Sequence, residues 1–156
     1  MILWLSPDPH LELIHVSSSA ESDSLLLTVQ STVSSASCPQ CNKNTSKIHS
    51  RYARIIQDLP VSGQPVELHL LSRKWFCDKA DCSVKIFTER YEGISANGRR
   101  TFRAEELLRK IAFSTSCLAA EKVAHAAHIP ISHDTLLAIV RRTALNPEVS
   151  PFPRFG

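Results

Sequence analysis

Four cysteines in two close pairs constrain this chain more than any other feature. Cys38-Pro39-Gln40-Cys41 is a C-x2-C pair and Cys77-Asp78-Lys79-Ala80-Asp81-Cys82 is a C-x4-C pair, with 35 residues between them. A turn of that length lets two thiolates from one loop occupy adjacent corners of a tetrahedron. Two such turns at the tips of neighbouring hairpins close a four-sulfur structural site. The spacing therefore predicts Zn²⁺ held by Cys38, Cys41, Cys77 and Cys82, with iron as the other metal such a donor set accepts. Two blander readings are four unrelated small buried residues, or a redox pair. The redox motif normally opens a helix in a thioredoxin-like βαβ unit, whereas Cys38 follows the Ser-rich stretch 31–37. His49 and His69 lie between the pairs and could replace a thiolate in a Cys3His site, but four cysteines make neither necessary. The fifth, Cys117, stands alone on an apolar stretch and reads as a core thiol.

A chain of 156 residues makes one ordinary domain or two small ones, and small cores need a metal or a partner. Hydrophobic residues at 43% and charged residues at 21% are globular proportions. The apolar run Ile2-Leu3-Trp4-Leu5 has no basic segment before it and is too short for a signal peptide or a membrane span. A reducing cytosol is the expected location, where cysteines serve as ligands or buried thiols. The net charge of +3 is unevenly divided. Residues 1–37 hold four acids and no Lys or Arg; 38–103 hold twelve Lys/Arg against six acids; 104–156 hold six against five. A zinc-bound set of four thiolates adds about −2, so nucleic-acid affinity must come from locally placed Arg and Lys.

The pattern predicts an α+β chain. Leu11-Glu12-Leu13-Ile14-His15-Val16 and Leu25-Leu26-Leu27-Thr28-Val29-Gln30 are short, partly alternating runs separated by the polar stretch 17–24, which reads as two strands and a turn. Residues 51–59 and 66–76 read as a second strand pair around Pro60-Val61-Ser62-Gly63-Gln64-Pro65, which has turn chemistry. The first unit expected is a β-rich zinc ribbon over 1–92. Residues 93–100, with Gly93, Asn97 and Gly98 and no apolar period, read as a linker. Helical periodicity follows in three pieces: Leu107, Leu108 and Ile111; Leu118, Val123, Ala124 and Ala127; Leu136, Leu137 and Val140. The second unit is thus helical, 101–145, and the Pro-rich residues 146–156 are expected to be an extended tail.

Within the helical unit, a small-residue helix meets Ile129-Pro130-Ile131 and then a helix whose natural N-cap is Ser132. That is the layout of a helix-turn-helix. Ala124 and Ala127 would permit close crossing, and His133, Asp134 and Thr135 would meet base edges from the first turn, with Ser132 beside them as a further DNA-binding candidate. Arg141 and Arg142 would reach phosphates. Arg99, Arg100 and Arg103 form a second basic cluster before the first helix, and Arg51, Arg54, Arg73 and Lys74 supply a third in the middle of the chain. The plainer alternative is a three-helix core with solvated charges.

The ordered series Cys38-Pro39-Gln40-Cys41, His49-Ser50-Arg51-Tyr52-Ala53-Arg54, Asp58-Leu59-Pro60, Val66 to Leu71, Arg73-Lys74-Trp75-Phe76-Cys77, Ile86-Phe87-Thr88-Glu89-Arg90, Arg99-Arg100-Thr101 and Asp134-Thr135-Leu136-Leu137 resembles the front of ISL-three-type insertion-sequence transposases. The resemblance runs from about residue 9 to the end. It implies a zinc-binding region and a helix-turn-helix that bind double-stranded DNA at the element's terminal inverted repeats, with a homodimer as a further expectation. In that family a DDE-type catalytic domain follows, and its first catalytic Asp is expected just after a segment resembling Pro153-Arg154-Phe155-Gly156. No residue here matches the catalytic carboxylates, so the expectation is a DNA-binding portion without its own nuclease activity. A free-standing regulator, or a transposition inhibitor that occupies the ends without cutting, is the competing expectation. One departure is His128, where the family tends to have Gly in the turn.

Overall fold

The computed structural model describes residues 3–143. Seven strands precede three helices among them: β1 (Leu11–Ser19), β2 (Ser24–Ser31), β3 (Ala36–Ser37), β4 (Asn44–Thr45), β5 (Ile48–Val61), β6 (Gln64–Phe76), β7 (Ile86–Thr88), α1 (Phe102–Ser114), α2 (Cys117–Ala126) and α3 (His133–Arg142). The main sheet runs β1-β2-β6-β5, and β7 pairs with β6 at Lys74–Phe76, beyond the stretch that β2 occupies. Both expected strand pairs form antiparallel hairpins. The join between them is a parallel β2–β6 pairing, which the sequence pattern did not indicate.

Alternation explains the core. Leu25, Leu27 and Val29 of β2 stand in register with Val66, Leu68 and Leu70 of β6, and all six are buried. Period-2 side chains place them on one face of the sheet, where each buried side chain stabilises the fold by about 1.5–3 kcal/mol. Ile56 of β5 extends the face opposite Leu68, and Trp4, Tyr91 and Ile94 pack over it. The β5–β6 hairpin turns at Ser62-Gly63, with φ of 51° and 76°. Two successive positive φ values are the type I′ geometry that matches strand twist, so the strands run through Pro60 and Pro65, closer to the turn than expected.

Each helix begins at a hydroxyl. Thr101, Ser116 and Ser132 accept from Ala104, Ala119 and Thr135 backbone N–H groups, satisfying donors that the first turn leaves free. The α2 core face keeps Ala124 of the expected set and differs in the rest. Ala120 and Ala124 are buried, whereas Leu118 and Val123 are 63% and 49% exposed and Ala127 is exposed. Short side chains let α1 and α3 approach the α2 backbone, and the larger apolar residues are displaced outward. After α2, His128 donates its N–H to His125 O and Ile129 donates to Ala124 O, with His128 at φ 61°. This is a Schellman ending in which the left-handed residue is usually Gly.

Residues 93–100 are not a free span. Gln57 N donates to Arg99 O, Thr101 N donates to Gln57 O, and Ile94 is 2% exposed in the sheet core. The β5 end offers backbone groups that nothing else pairs, so the connection docks there. The tail 146–156 lies outside the described residues. No helix among the described residues is long and apolar enough to cross a membrane.

Candidate metal centre and basic surface

The cysteine pairs sit on two turns held by short backbone bonds. β3 and β4 bracket the first: Cys38 N donates to Lys43 O, and Asn42 N donates back to Cys38 O with Asn42 at φ 58°. In the second, Cys77 N donates to Lys85 O and Cys82 N to Lys79 O. β6 and β7 deliver that turn beside the first, and Phe76 N donates to Lys47 O across the gap. The four Sγ atoms lie within 4.8 Å of one another. Cys38 and Cys82 sulfurs are 3.9 Å apart and Cys41 and Cys77 sulfurs 3.6 Å. A tetrahedron with Zn–S near 2.3 Å has edges of ~3.8 Å, so the residues present fit a closed zinc site. All four cysteines are free thiols.

Backbone amides face these sulfurs. Burial raises the Cys38 thiol, but N–H groups of Cys41 and Gln40, with the neighbouring thiols, outweigh it and bring it down to about 7. Cys77 accepts from Lys79 N–H, yet burial and competition with the other three sulfurs push it up to about 12. Burial, before anything else, also raises Cys82, against a bond from Val84 N–H. Four thiolates cannot share so small a space without a cation, and Zn²⁺ supplies the charge that lets them ionise together.

Trp75 and Phe87 pack behind the sulfurs with Cys38, Cys77 and Cys82. The Arg73 guanidinium lies 4.6 Å over the Trp75 ring, pairs with the buried Glu89 at 2.5 Å, and donates to Val33 O. Outside, Asp78 bridges Lys43 at 3.1 Å and Lys47 at 3.3 Å, tying one turn to the other. Their side-chain contacts hold the Asp78 carboxyl below its ordinary range. His49 instead packs edge-on against Phe76, 4.8 Å between centroids, and no histidine joins the cluster. Cys117 packs against the helical core.

The basic residues separate into two groups. Arg103 grips the buried Asp58 through Nε at 2.8 Å and Nη2 at 2.5 Å, so it and Arg73 are held internally. Arg54 donates to Gly98 O at 2.6 Å and lies with Tyr52, Lys74 and Arg99 along one hollow. Lys74 Nζ stands 5.5 Å from the Tyr52 ring centroid. A second hollow, a cleft of about 580 Å³, shares Asn97, Gly98 and Arg99 with the first and adds Arg100, Thr135 and Arg142. Arg51 lines a separate recess with Glu12 and Gln30. Ser132, His133 and Arg141 are exposed on α3 or its cap. His133 N and Nδ1 both meet Glu121 Oε2, at 3.0 and 2.8 Å, and the His133 contact holds Glu121 below the usual carboxylate range. The Asp58 cluster was missed in the sequence; its signal was an acid within an apolar strand run.

Residues 34–82 match the family model described as the zinc-finger of transposase IS204/IS1001/IS1096/IS1165. The match contains all four cysteines and ends before the helices, covering 49 of the 156 residues. Comparison with curated proteins and with solved structures gives no match. The four-sulfur geometry and the family match fall on the same residues, so residues 34–82 are similar to the zinc ribbon of these transposases and bring together the four cysteines of a structural zinc site.

Proposed function

We propose that the chain is the DNA-binding part of an insertion-sequence transposase and recognises the terminal inverted repeats of its element. In this reading residues 1–92 and residues 101–145 act as two units on one duplex. The observation that carries it is the continuity of the two hollows: Arg99 joins Tyr52, Arg54 and Lys74 of the sheet to Arg100, Thr135 and Arg142 at the helices. A basic surface interleaved with polar side chains suits a phosphate backbone.

The α2–α3 pair is read as a helix-turn-helix, with α3 presenting Ser132, His133 and Thr135 to base edges and Arg141 and Arg142 to phosphates. Arg73 and Arg103 are assigned to holding the fold, and Arg51 lies away from the joined hollows. Cutting and joining DNA requires a carboxylate site for divalent metal. The chain alone is therefore expected to do neither in a strand-transfer assay with Mg²⁺ or Mn²⁺, and metal-dependent nicking that persists through purification would overturn this. The binding reading is tested by titrating the zinc-loaded chain against a terminal-repeat duplex and a scrambled duplex at several salt concentrations. Preference for the repeat, with affinity falling as salt rises, is expected; equal binding of both removes inverted-repeat recognition.

A further inference from the structure

Two arginines pair with one carboxylate in the cleft beside α3, and a third lines the same cleft. Glu105, in the first turn of α1, pairs with Arg100 at 3.7 Å and with Arg142 of α3, and Arg99 lines the same cleft. One negative charge thus faces three positive ones. Arg100 is held below the ordinary arginine range, by burial first and then by repulsion from Arg142 and Arg99, which Glu105 offsets only in part. The side chains of Arg100 and Glu105 are 17% and 27% exposed, while Arg142 is 54% exposed. A cleft lined by Arg99, Arg100 and Arg142 against the single carboxylate of Glu105 keeps a net positive charge, which favours an external anion with the same geometry. A phosphodiester offers two oxygens and one negative charge, as a carboxylate does, and arginine binds both in the same forked manner.

We propose that this cleft is a phosphodiester site gated by Glu105: the carboxylate occupies Arg100 and Arg142 in the free protein, and a DNA backbone phosphate takes its place against them and Arg99. The inference rests on the DNA-binding reading above and adds a residue that weakens sequence-independent binding. Glu105 holds down affinity for any duplex, so contacts from α3 to bases are needed to make displacement worthwhile.

The test uses the zinc-loaded full chain and a labelled duplex of scrambled sequence. Glu105→Gln should tighten binding roughly fivefold or more at low salt and steepen the dependence of log affinity on log salt by about one. Glu106→Gln removes the same charge one residue along, from a side chain paired with Arg109 and Lys110, and should have less than half that effect. Arg142→Ala should weaken binding more in the Glu105→Gln background than in the wild type, because the arginine is already occupied in the latter. Equal effects of the two Gln variants, or additive effects of Arg142→Ala, overturn the gate while leaving DNA binding intact. A wild-type chain that binds no duplex even at low salt overturns both.

Discussion

Asp58 receives hydrogen bonds from three side chains in two distant parts of the chain. Trp4 Nε1 reaches Oδ2 at 3.0 Å, Thr101 Oγ1 donates to Oδ1 at 2.7 Å, and Arg103 binds both oxygens. Burial raises this carboxyl, but the Arg103, Trp4 and Thr101 contacts outweigh it and leave it below its ordinary range. A depressed carboxyl contributes stability above its unfolded value of ~3.9 and loses it as pH falls through the folded value. Chemical denaturation should therefore show stability dropping below about pH 4. Asp58→Asn should remove about 2–4 kcal/mol at pH 7, because Arg103 keeps its charge beside a neutral amide, and should flatten that acid limb. None of these partners is near Asp58 in sequence, which is why the strand pattern located the residue but not its role. His128 is the opposite case. The departure from Gly was visible in the sequence, and the structure places it at φ 61°. His128→Gly should raise stability by ~0.5–1 kcal/mol, since a left-handed L-residue is strained. Thermal melts of the zinc-loaded protein would show it, and a lowered melting temperature would contradict the assignment.

At the scale of elements, local chemistry was readable and long-range pairing was not. The two hairpins, the Ser132 cap and the cysteine turns follow from alternation, hydroxyls and spacing within a few residues. The parallel β2–β6 pairing and the docking of 93–100 on β5 depend on strands brought together from afar, and no local pattern encodes that choice. On α2 the expected Ala124 is buried, but hydrophobicity also favoured Leu118 and Val123, which close packing leaves exposed while it selects Ala120. The ribbon has little apolar core of its own beyond Trp75 and Phe87, so zinc should carry roughly 10 kcal/mol or more of its folding free energy. Chelation should alter fluorescence from the buried Trp75 and release the β3–β4 and β7 regions to hydrogen exchange, while the sheet centre at Leu27 and Leu68 stays protected. Cys82→Ser should abolish tight zinc retention by elemental analysis. With Cys77 and Cys82 raised, zinc binding near pH 7 should release roughly two or more protons per ion. Its apparent affinity must then rise with pH, and a pH-independent affinity would exclude a thiolate site.

Across the whole molecule, the basic surface crosses from sheet to helices, and the division of labour should separate on mutation. Thr135→Ala, or a change at His133, should weaken a cognate site by ~1–3 kcal/mol and relax selectivity. Arg99→Ala should lower affinity for every sequence and flatten its salt dependence. Uniform losses from all these variants would make α3 a core element rather than a reader. The most direct measurement is selection of duplexes from a randomised pool by the zinc-loaded chain, followed by comparison of the enriched sequence with the ends of the parent element. Enrichment of one motif matching the terminal inverted repeats, lost on Thr135→Ala and on zinc removal, is the predicted result. A pool that stays random, or a motif unrelated to those ends, would contradict the central claim.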